Sequence, residues 1–361
     1  MSETPALRKG WTTGACAAAA AKAAFQALLT GTFPDPVEIP LPGGKRAAFA
    51  LAEGDLMPGG ATAGVVKDAG DDPDVTHGAL IRARITPAAR GEGVVFRAGP
   101  GVGVVTRPGL AIPPGEPAIN PTPRQMIRDA LAEVAAAPDL DVEISVADGE
   151  RLAERTLNGR LGIVGGLSIL GTTGVVIPYS CAAWIHSIHR GIDVARASGM
   201  THVAGATGKT SEAAVLALHH LPETALIDMG DFVGGMLKYL RTHPLPRVTI
   251  AGGVAKMTKL GQGRLDLHSK RGVVDLEALA QVVREIGGAD ALAQAVTHAN
   301  TTAQAFSMAG AEGLALGDAI AERAWRTAAG VLRDADMALE IVLFDREGVQ
   351  VGRTGFAPVH V

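Results

Sequence analysis

The chain has 361 residues, enough for two domains or one large one, and 47% of them are apolar, so a full core can form. A net charge of -4 and an aromatic content of 4% argue against nucleic-acid binding, which needs a basic surface and rings for base stacking. Cys16 and Cys181 are too few and too far apart for a cysteine zinc or iron–sulfur site, and they fit a reduced, cytoplasmic compartment.

Arg8 and Lys9 precede an alanine run, Ala15–Ala24, that mimics a signal peptide. Lys22 interrupts the run and alanine is only weakly apolar. Thr12 or Thr13 is a good N-cap, so the expectation is a buried helix, Ala15–Leu29, ended at Gly31. No stretch approaches the 18 or so apolar residues of a membrane span. Strands are expected at Val37–Leu41 and Arg46–Leu51 around a Gly43-Gly44 turn.

The segment Val65–Gly78, VVKDAGDDPDVTHG, follows. Its turn carries Asp68, Asp71, Asp72 and Asp74 between two strands, with the second at Ala79–Ile85. Gly70 and Pro73 rule out a regular helix there. Four acids in one turn repel unless hydrogen bonds, a cation or a ligand compensates. A functional loop and a solvated Asx-type turn both fit. Hard carboxylate oxygens could also hold Mg²⁺.

Strands at Val94–Arg97 and Val102–Thr106 lead into a proline-rich loop and a helix, Arg124–Ala136. Val142–Val146 and Arg151–Thr156 read as a hairpin across Asp148-Gly149. This half reads as α+β with antiparallel pairs. A glycine-dense connector, Gly162–Gly174, follows it.

Beyond it the chain reads as α/β. After a helix at Ala182–Ala197, strands at Thr201–Gly205, Thr224–Asp228 and Arg247–Ala251 alternate with helices, as in a mostly parallel sheet. Further helices cover roughly 275–285, 289–295, 302–308 and 316–333, and a hairpin, Met337–Phe344 with Val349–Val351, ends the chain. The expected division is 1–180 and 181–361.

Gly205-Ala-Thr-Gly208-Lys209-Thr210 resembles a phosphate loop, but Val203 stands where the first glycine belongs, so that reading fails. What survives is a glycine turn, Gly205, Thr207 and Gly208, opening a helix. Gly252 and Gly253 open another. Asp228, about 20 residues after the first turn, suits ribose hydroxyls or caps the next helix. His186 and His189 share a helix face without a third ligand beside them, so no metal site is assigned. The cations Arg8, Lys9, Lys67, Arg107 and Arg124 lie near glycine- or proline-rich loops, where they suit a ligand with many carboxylates or stand as surface charges.

Four blocks, LRKGWTTGACAAAAAKAA at 7–24, VVKDAGDDPDVTHG at 65–78, GVGVVTRPGL with GEPAINPTPRQMI within 101–127, and GIVGGLSILGTTGVVIPYS at 162–180, resemble the cobalt-precorrin-5B C1-methyltransferases of anaerobic cobalamin biosynthesis, the CbiD family. HANTTAQA at 298–305 is similar too. The resemblance implies transfer of a methyl group from S-adenosylmethionine to C1 of cobalt-precorrin-5B, giving cobalt-precorrin-6A, by a two-domain enzyme. It implies a cobalt-corrinoid substrate rich in carboxylates and leaves homo-oligomerisation open. On that basis Asp68, Asp71, Asp72 and His77 are candidate catalytic residues. Gly205, Thr207, Gly208, Asp228, Gly252 and Gly253 are candidates for the methyl donor. Arg8, Lys9, Thr12, Thr13, Lys67, Arg107, Asn120, Arg124, Thr172, Thr173 and Ser180 are candidates for the corrinoid. A non-catalytic corrinoid or tetrapyrrole binder and a Mg²⁺-dependent phosphotransferase built on the Asp cluster are the rival readings.

Overall fold

The computed structural model describes residues 7–359, the Lys270 side chain aside. The chain divides into two compact units, 1–180 and 181–361. The first is α+β and the second α/β, as the hydrophobic periods imply.

The first unit is built on helix α1, Thr13–Thr30. Thr12 is its N-cap, accepting the Ala15 N–H at 3.2 Å, and Gly31 ends it in the left-handed conformation at φ 78°. Alanines Ala15 to Ala24 are almost all fully buried. Side chains this small let the helix lie close to a sheet. That sheet comprises β1 (Glu53–Met57), β2 (Gly60–Val66), β3 (Leu80–Pro87), β4 (Val94–Ala98) and β5 (Leu140–Val146), in the order β1-β2-β3-β5-β4. Only β5 and β4 run parallel. The face toward α1 carries Ala61, Ala63, Ile81, Ala83 and Ile85. Helix α2, Pro121–Ala132, packs on α1.

Several elements differ from expectation. Helix α2 starts three residues early, because Asn120 is the N-cap and Pro121 takes the first turn, where a missing N–H costs nothing. Residues 151–156 are not a returning strand. Asp148 adopts φ 56° and opens a short helix, α3 (Gly149–Ala153). Gly149 there lies against Gly101 so closely that a Cβ would sit 2.2 Å from its carbonyl oxygen. Strand β1 is mostly solvent-facing and lacks apolar alternation, so it left no signal. The glycine-dense stretch after residue 162 contributes strands Ile163–Val164 and Gly166–Leu167, which pair with Val104–Val105 and Gly101–Val102.

The second unit opens with α4 (Cys181–Ala197). Its sheet contains β6 (His202–Ala206), β7 (Leu226–Asp228), β8 (Arg247–Gly253), β9 (Ala338–Phe344) and β10 (Gln350–Arg353), in the order β7-β6-β8-β9-β10. The first four are parallel and β10 is antiparallel. Helix α5 (Lys209–His219) links β6 to β7, and α6 (Val233–Thr242) leads back to β8, whose end opens α7 (Val254–Gly261). Helices α8 (Leu276–Glu285), α9 (Asp290–Thr297), α10 (Thr302–Ala311) and α11 (Leu316–Leu332) complete the larger core cluster. Under α5 the fully buried Glu340 accepts hydrogen bonds from Thr249 Oγ1 at 2.9 Å, His219 Nε2 at 2.6 Å and Arg353 Nε at 2.6 Å. Such a carboxylate is tolerated because both of its oxygens are hydrogen-bonded, one by an arginine.

Candidate functional site

In the first unit, segments far apart in sequence meet at the N-terminus of α1. Gly10–Trp11 pairs with Val175–Val176, and the Trp11 N–H donates to Asp68 O at 2.7 Å. The Thr12 and Gly14 N–H groups donate to Gly174 O and Leu170 O, each at 3.0 Å. Thr13 Oγ1 accepts the Leu170 N–H at 2.9 Å. Asn120 donates to Ile169 O from its backbone and its side chain. The approach is close enough to need glycine: a Cβ on Gly10 would sit 2.0 Å from Ala69 C, and one on Gly70, at φ 67°, 2.2 Å from Arg8 O.

The acidic turn resolves into separate pairs. The Arg8 guanidinium grips Asp68 through both nitrogens, and that bond, with the Gly70 N–H behind it, holds the Asp68 carboxyl down at about 2. Asp71 accepts the backbone N–H of Arg8 at 2.6 Å. Asp72 accepts the Tyr179 N–H at 2.8 Å. Asp74 takes Lys67 Nζ at 2.6 Å and both the N–H and Oγ1 of Thr76 at 2.7 Å. Four carboxylates each engaged by a donor of its own, two of them by Arg8, do not make a shared cation cage. Among the described residues no group of three or more His, Cys, Asp or Glu is arranged to hold a metal ion.

His77 is half exposed, and its Nδ1 accepts the Ala69 N–H at 3.1 Å. An accepting Nδ1 places the proton of the neutral ring on Nε2, so His77 presents a donor outward.

The remaining candidates divide. Arg8, Lys9 and Thr172 are exposed, and Thr173 bonds the Val175 backbone. Ser180 ends the unit. The hydroxyls of Thr12 and Thr13 are engaged by backbone, and Lys67 is 1% exposed, so these three hold the site together from inside. Arg124 does the same: its guanidinium donates to Ile119 O, Pro117 O and Glu116 and lies over the Phe96 ring. Arg107 packs on Gly162 in the small sheet. The converging segments carry large exposed apolar side chains: Leu7, Leu170, Ile177 and Tyr179.

In the second unit, the chain passes from β6 to β7 on one side and then returns to β8 on the other. In open α/β sheets a ligand binds outside the carboxyl ends of the strands at such a reversal. Thr207 and Gly208 follow β6 there, and Gly252 and Gly253 end β8. Gly205, one residue inside β6, points into the core, where a Cβ would sit 2.4 Å from Met236 Sδ. Gly252 is required by Thr207, whose side chain would meet a Cβ at 2.9 Å. Asp228 ends β7 in register with Ala206. Lys256 Nζ donates to Thr207 O at 2.7 Å and pairs with Asp231 at 3.1 Å. Asp231 therefore belongs to this edge rather than to the cap of α6, which lacks a side-chain cap bond. Trp184 of α4, which carries no sequence signal of its own, donates its indole N–H to Asp228 O at 3.1 Å.

The comparisons agree along the chain. A family model described as CbiD matches residues 1–178, and one described as CbiD, C-terminal domain, matches 266–355. A protein of Agrobacterium fabrum named cobalt-precorrin-5B C(1)-methyltransferase is 65% identical, over 98% of this chain and 94% of its own. Proteins of the same name from Methylorubrum extorquens and Halorhodospira halophila are 64% and 60% identical, over 96% and 98% of this chain and 97% and 95% of theirs. A crystal structure titled cobalamin biosynthesis protein (cbiD), from Archaeoglobus fulgidus, is 28% identical with a TM-score of 0.39, covering 69% of this chain and 77% of that one. With curated relatives this similar over nearly its whole length, the chain belongs to the CbiD family.

Proposed function

We propose that the chain transfers a methyl group from S-adenosylmethionine to C1 of cobalt-precorrin-5B, a step of cobalamin biosynthesis. The observation that carries this is the near-full-length identity to proteins of that name. No helix among the described residues is long and apolar enough to cross a membrane, in keeping with a small-molecule enzyme of the cytoplasm.

The donor supplies an electrophilic methyl on a sulfonium. What the protein must do is hold that methyl in line with a ring carbon, which is mostly positioning. The carboxyl edge of β6, β7 and β8 suits the donor. Gly208 and Gly253, where a Cβ would meet open space, allow close backbone approach, and Asp228, with about four lone-pair directions, can accept ribose hydroxyls besides its existing contacts. Asp228 and Asp231 give that edge carboxylates, which favour a sulfonium.

The convergence around α1 suits the corrinoid. Leu7, Leu170, Ile177 and Tyr179 offer apolar area for a flat macrocycle. Arg8 and Lys9 are exposed cations for its carboxylates, with Thr172 and Thr173 beside them. His77, through its Nε2–H, can donate a hydrogen bond to a carboxylate at the ring's periphery. Asp68, Asp71 and Asp72 hold Arg8 and the Tyr179 backbone in place, while Lys67, Thr12, Thr13, Asn120 and Arg124 act as positioning residues beneath.

The test is incubation with cobalt-precorrin-5B and S-adenosylmethionine labelled in its methyl group. Label at C1 of the product is expected. Tight corrinoid binding without label transfer would make the chain a carrier instead.

A further inference from the structure

Trp184 stands at the carboxyl edge of the second sheet, outside every motif. Its indole N–H is fixed on Asp228 O at 3.1 Å. Gly230, in the left-handed conformation at φ 52°, lies under the ring, where a Cβ would come within 3.4 Å of three indole atoms. Phe232 packs near it, with ring centroids 6.3 Å apart. The ring is thus held on its inner side by the loop that follows β7, yet the residue is 45% exposed. An exposed tryptophan whose polar atom is engaged and whose orientation is fixed is a preorganised apolar platform.

Its position decides what the platform would take. Asp228 lies across from Ala206, the residue just before Thr207 and Gly208. Neighbouring strands are about 4.8 Å apart, so Asp228 lies about one strand spacing from the end of β6, with the indole N–H on its carbonyl oxygen. A nucleoside whose ribose meets Asp228 and whose tail runs toward the glycine turn has its base on the far side of Asp228, beside Trp184. We propose that Trp184 stacks against the adenine of the methyl donor. This deepens the reading of this edge as the donor site and rests on it.

The experiment uses the whole chain and S-adenosylhomocysteine. Binding is measured by calorimetry and by tryptophan fluorescence in the wild type, Trp184→Phe and Trp184→Leu, with circular dichroism to confirm folding. Binding is expected to quench wild-type fluorescence, and the quench is expected to vanish in Trp184→Phe. Trp184→Leu, which still covers Gly230, is expected to raise Kd about tenfold, the order of one base–aromatic stack, and Trp184→Phe by less. Adenosine alone should give the same ranking. Unchanged Kd in both variants with a persisting quench in Trp184→Phe overturns the stack, while a raised Kd in Asp228→Ala beside it keeps the donor reading. No binding of S-adenosylhomocysteine by folded wild type overturns both.

Discussion

Lys67 Nζ lies 2.6 Å from Asp74 Oδ2, and the lysine is almost wholly withdrawn from water. Its own backbone N–H and C=O bond Ala79 and Gly78, so the pair fastens the whole acidic turn to the strand that follows. Removing one partner of such a pair leaves a charge without compensation, at a cost of about 3–5 kcal/mol. Lys67→Met and Asp74→Asn are each expected to destabilise the first unit by that order in urea unfolding. The double variant should recover much of the loss. Additive losses would mean that the ion pair does not hold the turn. The pH sign follows from the same contacts. Burial pushes the Asp74 carboxyl up, but Lys67 and Thr76 outweigh it and leave it below its ordinary value. Its stabilising contribution is therefore present above the ordinary carboxylate range and is lost as pH falls through the lowered value.

Gly10 and Ala69 are in backbone contact, so Gly10→Ala must push the segment 8–11 off the acidic turn. The Trp11–Asp68 bond and the Arg8 fork should go with it. The expected outcome is loss of methyl transfer and corrinoid binding, with S-adenosylhomocysteine binding unchanged, since the edge proposed for the donor belongs to the other unit. Equal loss of both affinities would show that the two sites are not separable in this way.

For His77 the two ring nitrogens can be tested apart. Asparagine places an oxygen near Nδ1 and can still accept the Ala69 N–H, while glutamine keeps an outer donor and loses that acceptor. If the outer Nε2–H holds the substrate by a hydrogen bond, His77→Asn lowers kcat/KM about tenfold or more with little change in Tm, the order of one hydrogen bond to a charged group. His77→Gln should retain more activity and lose stability. The reverse ranking would make His77 a turn residue only.

Much of this was legible in the chain. The capped alanine helix, the strands around Asp68–Asp74 and the βα rhythm after residue 200 each follow from local chemistry: a threonine cap, a glycine and proline break, a hydrophobic period. What was not legible depends on partners distant in sequence. Arg124 reads as a substrate clamp because its loop is proline-rich, yet it meets the carbonyls of Pro117 and Ile119. Thr13 looks available until Leu170, far along the chain, engages its hydroxyl. Trp184 becomes visible only once α4 is laid beside the end of β7.

The second unit has its own pH dependence. His202 Nε2 lies 2.8 Å from the Thr249 hydroxyl, which itself donates to Glu340, so the histidine is the donor there. Burial, helped by His219 and Arg247 and opposed by Glu340, lowers its pKa to about 4. An unfolded histidine titrates near 6.5, so between about 6.5 and 4 the unfolded chain binds the extra proton. Stability from this group is present in full above that window and falls as pH drops through it, by at most about 3 kcal/mol. His202→Gln, which can still donate to Thr249, should flatten the fall in urea-unfolding free energy between pH 6.5 and 4 while leaving that attributable to the carboxylates at lower pH. An unaltered slope would assign the effect to another group.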